Sequence, residues 1–403
     1  MSIAVSRSAV FLALAISGSF AWAYDVEPIR VGFLEVKPTL DTNVTPVDST
    51  WLLNGEEESE EFLLFKPRLA AFVTDGKNQF SSSLEILNGN YSARGVDSFV
   101  DTSFEGAARF ALGRRNLIKL HGEFFNTHEK LDTAFKNGSS SLPERFTTST
   151  ISSSYEYATP QRNGRIVIDV GTFTKNYTNT NAVSYRSHED YNWGSSFFLR
   201  VLPGTDMVMQ YRFKNVDFLN DRDKLSASVW ERDNRQSDKY LGATWEAPAA
   251  IPGKLKIASG FKAVTTIADY ANANSARWET NLRWEPLRDS IFTVNADRTR
   301  REDTGMATIT DTTSIRYNWE YSWSYRLKSA VVGNYSGNTY LRAHRKDEGL
   351  GLKLRMDYAY SNWLNMFVAV GHDQKRSVLD SFNFTQHTFM LGVSATLEQL
   401  WSW

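Results

Sequence analysis

The feature that most constrains this chain is an alternation of apolar and polar residues held over unusually long runs. In SIRYNWEYSWSYRL, Ile315, Tyr317, Trp319, Tyr321, Trp323 and Tyr325 take one side of an extended strand. Arg316, Asn318, Glu320, Ser322, Ser324 and Arg326 take the other, because strand side chains point alternately to opposite faces. GLGLKLRMDYAYSNW sets Leu350, Leu352, Leu354, Met356, Tyr358 and Tyr360 against Gly351, Lys353, Arg355 and Asp357. ARWETNLRWEP sets Trp278, Thr280, Leu282 and Trp284 against Glu279, Asn281, Arg283 and Glu285. The last residues, SATLEQLWSW, continue the pattern to Trp401 and Trp403, with Gln399 as an interruption. A soluble sandwich also alternates, but its strands average about 5–6 residues. Runs of about 14 residues instead match tilted strands that cross a bilayer, which need about 9–11.

Composition supports the membrane reading. Aromatics make up 13% of the chain, with 12 Trp, 17 Tyr and 25 Phe, although the chain is polar on average. An outer-membrane barrel has this profile, because only alternate residues meet lipid and aromatic girdles mark both interfaces. The net charge of −1 excludes a nucleic-acid partner, and the absence of cysteine excludes disulfides. The N-terminal stretch MSIAVSRSAVFLALAISGSFAWAYD has a basic residue, a short apolar run and Ala21-Trp22-Ala23. It is expected to be a cleaved signal peptide, 1–23, ahead of one barrel domain, 24–403.

Turn chemistry divides the chain into an expected all-β, antiparallel up-and-down barrel of about 18 strands, with 16 as the alternative count. Tight turns are expected at 75–78, 113–116, 158–164, 202–206, 247–254, 285–289, 326–329 and 360–363. Longer connections are expected at 44–60, 127–147, 178–187, 220–235, 269–275, 301–308 and 377–383. Short turns on one rim and longer loops on the other is the periplasmic/extracellular asymmetry of such barrels. The expected location is therefore the outer membrane of a Gram-negative bacterium, with both termini periplasmic. The acidic run GEEESEE, 55–61, is placed in the first long loop as a solvated segment.

The polar side of each strand must line the lumen. The expected pore-lining residues are Lys119, Glu123, Asp169, Arg212, Lys214, Arg283, Arg316, Glu320, Arg342, Lys353, Arg355 and Asp357. His121, Lys175, Lys256, Lys262, Glu279 and His344 fall on the same side. This is either a weakly anion-attracting pore or a wet wall of mutually compensating ion pairs. The expected membrane-interface aromatics are Trp278, Trp284, Trp319, Trp323, Tyr358, Tyr360, Trp401 and Trp403. His372 and His387 fall on the lipid side at similar height on adjacent strands, either as a pair facing lipid or, the favoured reading, as part of a polar upper rim. The sequence carries no activated serine, no phosphate-binding loop and no cofactor or metal motif, so neither an enzyme nor a cofactor is expected.

The first third carries FLEVKPTLDTNVTPVD, then FLLFKPRLAAFVTDGKNQFSSSLEILNGNYSARGVDSFVD, then LHGEFFNTHEKLD. With Pro38, Asn43, Pro67 and Tyr91 as its markers, this order resembles the putative β-barrel porin 2 family over about 31–135. The resemblance implies an outer-membrane barrel associated with exopolysaccharide or capsule biosynthesis. The outward apolar face makes outer-membrane lipid and lipopolysaccharide expected partners. The terminal Trp403, with apolar residues at alternate positions, resembles the signal that the barrel-assembly machinery reads. The family resemblance adds polysaccharide export components as partners. Three functions stand open at this point: polymer export or surface assembly, a general diffusion porin for small solutes, and a plugged barrel acting as a surface interaction scaffold.

Overall fold

Alternation and turn chemistry together close the chain into a barrel in the computed structural model. It describes residues 28–51, 56–91, 98–128, 145–159, 163–178, 187–219, 234–248, 253–268, 271–303, 308–340, 345–379 and 383–396. The expected signal peptide, Trp401, Trp403, Arg342 and His344 lie outside the described residues. The strands are β1 (Ile29–Val31), β2 (Leu34–Trp51), β3 (Glu56–Asp75), β4 (Asn78–Tyr91), β5 (Phe99–Leu112), β6 (Asn116–His128), β7 (Arg145–Ala158), β8 (Gly164–Tyr177), β9 (His188–Leu202) and β10 (Thr205–Phe218). They continue as β11 (Asn234–Glu246), β12 (Lys254–Ala268), β13 (Ala271–Leu287), β14 (Ser290–Asp303), β15 (Thr308–Ser322), β16 (Leu327–Tyr340), β17 (Arg345–Ala359), β18 (Leu364–Ser377) and β19 (Phe384–Thr396).

From β2 to β19 each strand pairs antiparallel with the next, and β19 returns to pair with β2, from Phe384↔Trp51 to Thr396↔Thr39. The 19-stranded sheet is therefore a closed barrel of eighteen long strands plus β1. That short strand was not anticipated. It folds back through a turn at Gly32 and pairs Ile29 with Val36 on β2. The four tight turns joining β3–β4, β5–β6, β9–β10 and β11–β12 contain Gly76, Gly113, Gly204 and Gly253, all at positive φ, which glycine reaches without steric cost. They share one rim with β1 and the end of β19.

Three expectations need correction. The 44–60 loop is mostly strand: β2 and β3 pair from Leu34↔Val73 out to Trp51↔Glu56, so the acidic run lies in a hairpin. Only 52–55 separates the two strands. Similarly, β12 and β13 continue to Ala268 and Ala271, leaving two residues where a longer loop was expected over 269–275. Trp323 and Tyr325 lie in the turn after β15 rather than in the strand. The prolines in the first strands are accommodated without a register change. Phe65↔Asn88 is followed by Arg68↔Glu85, so the β3–β4 ladder skips only Lys66 and Pro67, as expected where a residue has no N–H to donate.

Exposure separates the two faces of the wall. On β17, Leu350, Leu352 and Leu354 are 56%, 50% and 43% exposed, while Arg345 and Asp347 on the alternate face are 2% and 1% exposed. Ionic side chains so enclosed must lie on the concave side of a closed barrel. The leucines therefore face outward, and they join outward residues such as Ile166, Ile168 and Val170 on β8.

One inward aromatic depends on two facing glycines. Gly242 on β11 is directly opposite Gly260 on β12, and the Tyr240 ring lies across both, with its hydroxyl bonded to Glu279. A Cβ at Gly242 would sit 2.7 Å from Tyr240 Cε1. Gly242→Val should push the ring off the wall and lower stability by about 1–3 kcal/mol. The midpoint of urea unfolding in lipid vesicles checks this, and an unchanged midpoint would contradict the packing described.

Candidate functional site

Directly opposed residues on neighbouring strands share a face, so register alone traces the inner wall. Lys119 on β6 faces Ser154, Ser154 faces Asp169, Asp169 faces Gly194, Gly194 faces Arg212, and Arg212 faces Asp238. The same alternation puts Glu123, Lys175, Lys214, Lys256, Lys262, Glu279, Arg283, Arg316, Glu320, Lys353, Arg355 and Asp357 on that inner face.

Most of these charges are compensated by a close neighbour. Lys214 Nζ is 2.7 Å from Asp190 Oδ2, with His188 Nε2 4.0 Å from the same carboxylate. Lys175 is buried, its ammonium 3.8 Å from the Phe146 ring centroid and 4.6 Å from that of Tyr177. Lys262 pairs with Asp238, Lys256 with Glu246 at 2.8 Å, and Lys119 with Glu156 at 3.5 Å. Arg355 Nε donates to Asp357 Oδ2 at 2.8 Å, and its Nη2 donates to Oδ1 at 2.6 Å. The guanidinium also stacks 3.8 Å over Phe367. Arg283 meets Glu285 at 2.8 Å. Among the described residues, Arg212, Arg316 and Lys353 have no carboxylate within 4 Å.

A second cluster, as enclosed as that of Asp190, was not anticipated. Arg345 Nε donates to Asp347 Oδ1 at 2.7 Å, Ser377 Oγ donates to the same oxygen at 2.6 Å, and Lys375 Nζ lies 3.4 Å from Oδ2. A signal for it exists in the sequence. Residues i and i+2 on a strand share a face, so a basic residue two positions before an acidic one forms a pair along the strand. Arg345–Asp347, Arg355–Asp357 and Arg283–Glu285 all follow that spacing.

The outer face carries an aromatic ladder. Trp284, Phe292 and Trp319 stack with centroids 5.7 and 5.6 Å apart, and Trp319–Tyr321 and Tyr321–Trp323 follow at 6.2 and 4.7 Å. Trp323, Tyr325 and Tyr360 are exposed in turns on the rim of tight turns. His372 and His387 are directly opposed and face outward, with Nδ1 atoms 3.3 Å apart.

With the barrel and its wall in hand, comparison places the chain among known proteins. The family model described as "Putative beta-barrel porin 2" matches residues 201–397, whereas the motifs that suggested that family lie in the first third. A Pseudomonas aeruginosa OccK2 (OpdF) crystal structure matches with a TM-score of 0.53 at 11% identity, covering 92% of this chain and all of that one. P. aeruginosa OpdK with vanillate matches at TM-score 0.52 and 11% identity, over 91% of this chain and 100% of that one. OccK2 (OpdF) in complex with glucuronate matches at 0.52 and 12%, with the same coverage. At such identities the likeness shows the fold alone, an antiparallel β-barrel that spans nearly the whole of each chain. No curated protein matches the chain.

Proposed function

We propose, for a chain that belongs to the putative β-barrel porin 2 family through its residues 201–397, that it forms a passive pore for small hydrophilic solutes with a weak preference for anions. It would sit in the outer membrane of a Gram-negative bacterium with both termini periplasmic, the rim of tight turns on the inner side. The observation that carries this reading is the wall itself. Eighteen strands enclose a width at which barrels hold an aqueous channel. The wall carries charged side chains on strand after strand, and Arg212, Arg316 and Lys353 form no ion pair within 4 Å among the described residues. The remaining pore-lining residues would supply a polar but nearly balanced surface. Fixed positive charge on such a wall raises the local concentration of anions. Vanillate and glucuronate, the solutes in two structures of similar fold, are both carboxylates, which fits the same direction. Trp278, Trp284, Trp319, Trp323, Tyr358 and Tyr360 would anchor the barrel at the two interfaces.

Planar-bilayer recording tests this directly. The purified protein should give stable conductance, with chloride favoured over potassium in a salt gradient. The triple variant Arg212→Gln/Arg316→Gln/Lys353→Gln should lower that preference by about twofold or more. Absence of conductance in a folded barrel would defeat the pore reading and leave the scaffold alternative. Loss of surface or secreted polysaccharide on deletion of the gene would favour the polymer-export role that the family resemblance implies.

A further inference from the structure

We propose that Glu105, His121 and Glu123 form a binding site for a divalent transition-metal ion, of the zinc type, at mid-height on the inner wall. The site is built by the register of β5 and β6, which opposes Glu105 directly to Glu123 and Ala107 to His121. His121 Nε2 lies 3.4 Å from Glu105 Oε1 and 3.3 Å from Glu123 Oε1, and one ligand atom from each residue falls within 4.8 Å of the other two. Zinc binds imidazole nitrogen and carboxylate oxygen at about 2.0–2.2 Å. One ion can therefore reach all three atoms without moving either strand.

The electrostatics point the same way. Two carboxylates directly opposed on adjacent strands repel, and the nearby lysines are engaged elsewhere: Lys66 Nζ is 3.1 Å from Glu85, and Lys119 is 3.5 Å from Glu156. Arg68 faces the group from β3, with Nη2 donating to Ser83 Oγ at 3.5 Å. A cation between the carboxylates relieves their repulsion more fully than one imidazole. The donor set sorts the ion: one imidazole with two carboxylates suits zinc, cobalt or nickel, whereas calcium and magnesium take oxygen alone. Ala107 beside His121 is small, and three protein ligands leave a coordination position open toward the lumen, the arrangement of an exchangeable site.

The site stands whether or not the barrel conducts, and its test is independent of current. The outward His372/His387 pair could bind zinc by itself, so the parent for the test is the His372→Ala/His387→Ala double variant, in detergent and freed of metal with EDTA. Calorimetric titration with ZnCl2 should show one equivalent bound. Adding His121→Ala, or Glu105→Gln with Glu123→Gln, should weaken binding about a hundredfold or more, beyond the effect of losing an outer-shell partner. Cobalt in place of zinc should give a visible ligand-field spectrum on the parent that His121→Ala abolishes. A retained gel shift between unheated and heated samples shows that each barrel is folded. No saturable zinc binding by the folded parent, or equal binding by its His121→Ala derivative, would overturn the proposal, and the cobalt spectrum of the parent decides if a variant fails to fold.

Discussion

Replacing Asp347 with alanine is expected to lower the stability of the barrel by about 3–5 kcal/mol, the cost of removing one partner from a buried ionic cluster. Asp347 is 1% exposed and accepts from Arg345 and Ser377, with Lys375 3.4 Å away. Its loss takes from the Arg345 guanidinium, itself 2% exposed, the carboxylate that lies between it and Lys375. The Tyr340 ring, 4.7 Å from that guanidinium, returns only part of what the carboxylate supplied. The control is Asp206→Ala, which breaks the Arg200–Asp206 pair. Those side chains are 51% and 36% exposed, and water screens such a pair until it contributes almost nothing. Urea unfolding in lipid vesicles, followed by tryptophan fluorescence, should show a large shift for the first and almost none for the second. Equal shifts would mean that water reaches the Asp347 cluster as freely as the rim.

The parts of this architecture that a period of two dictates were legible from the residues. The strand Gly164–Tyr177 runs between the turn expected at 158–164 and the connection expected at 178–187, because Ile166, Ile168 and Val170 alternate with polar partners there. The same parity divides the wall, and the register sets Arg212, Arg316 and Lys353 on one face of it. What escaped was information that alternation does not hold. The β2–β3 hairpin extends through Pro46 and GEEESEE because backbone pairing with a long neighbour does not require apolar side chains. The strand β1 is only three residues long, too short for any periodicity to register. The partners of each inner charge depend on cross-strand register, so Glu105 next to His121 could not be read from a list of inward residues. The spacing Arg345-x-Asp347 stands at the very start of β17, where no apolar residue of that strand precedes it to mark the strand.

Leu354→Arg is expected to cost about 2–4 kcal/mol, the price of a cation on the lipid face near the bilayer midplane. The adjacent Lys353→Leu should change stability by about 1 kcal/mol or less, since it replaces a wall residue that makes no ion pair among the described residues and whose ammonium meets Met390 Sδ at 3.4 Å. The two positions differ by one residue and point to opposite faces: Leu354 is 43% exposed and opposes Val331 and Val370, whereas Lys353 opposes Val332 and Gly371. In a water-soluble barrel the prediction would reverse in kind, because arginine at an exposed surface leucine is nearly neutral. The physical contrast rests on what touches the outer face. Leucines, tryptophans and tyrosines stand exposed there on strand after strand, far beyond the few hundred Å2 of contiguous apolar surface that a soluble monomer tolerates. Hydrocarbon satisfies that face and excludes a guanidinium. Refolding both variants into vesicles and comparing their unfolding midpoints with the wild type separates the alternatives, and a silent Leu354→Arg would show that water, not lipid, covers the wall.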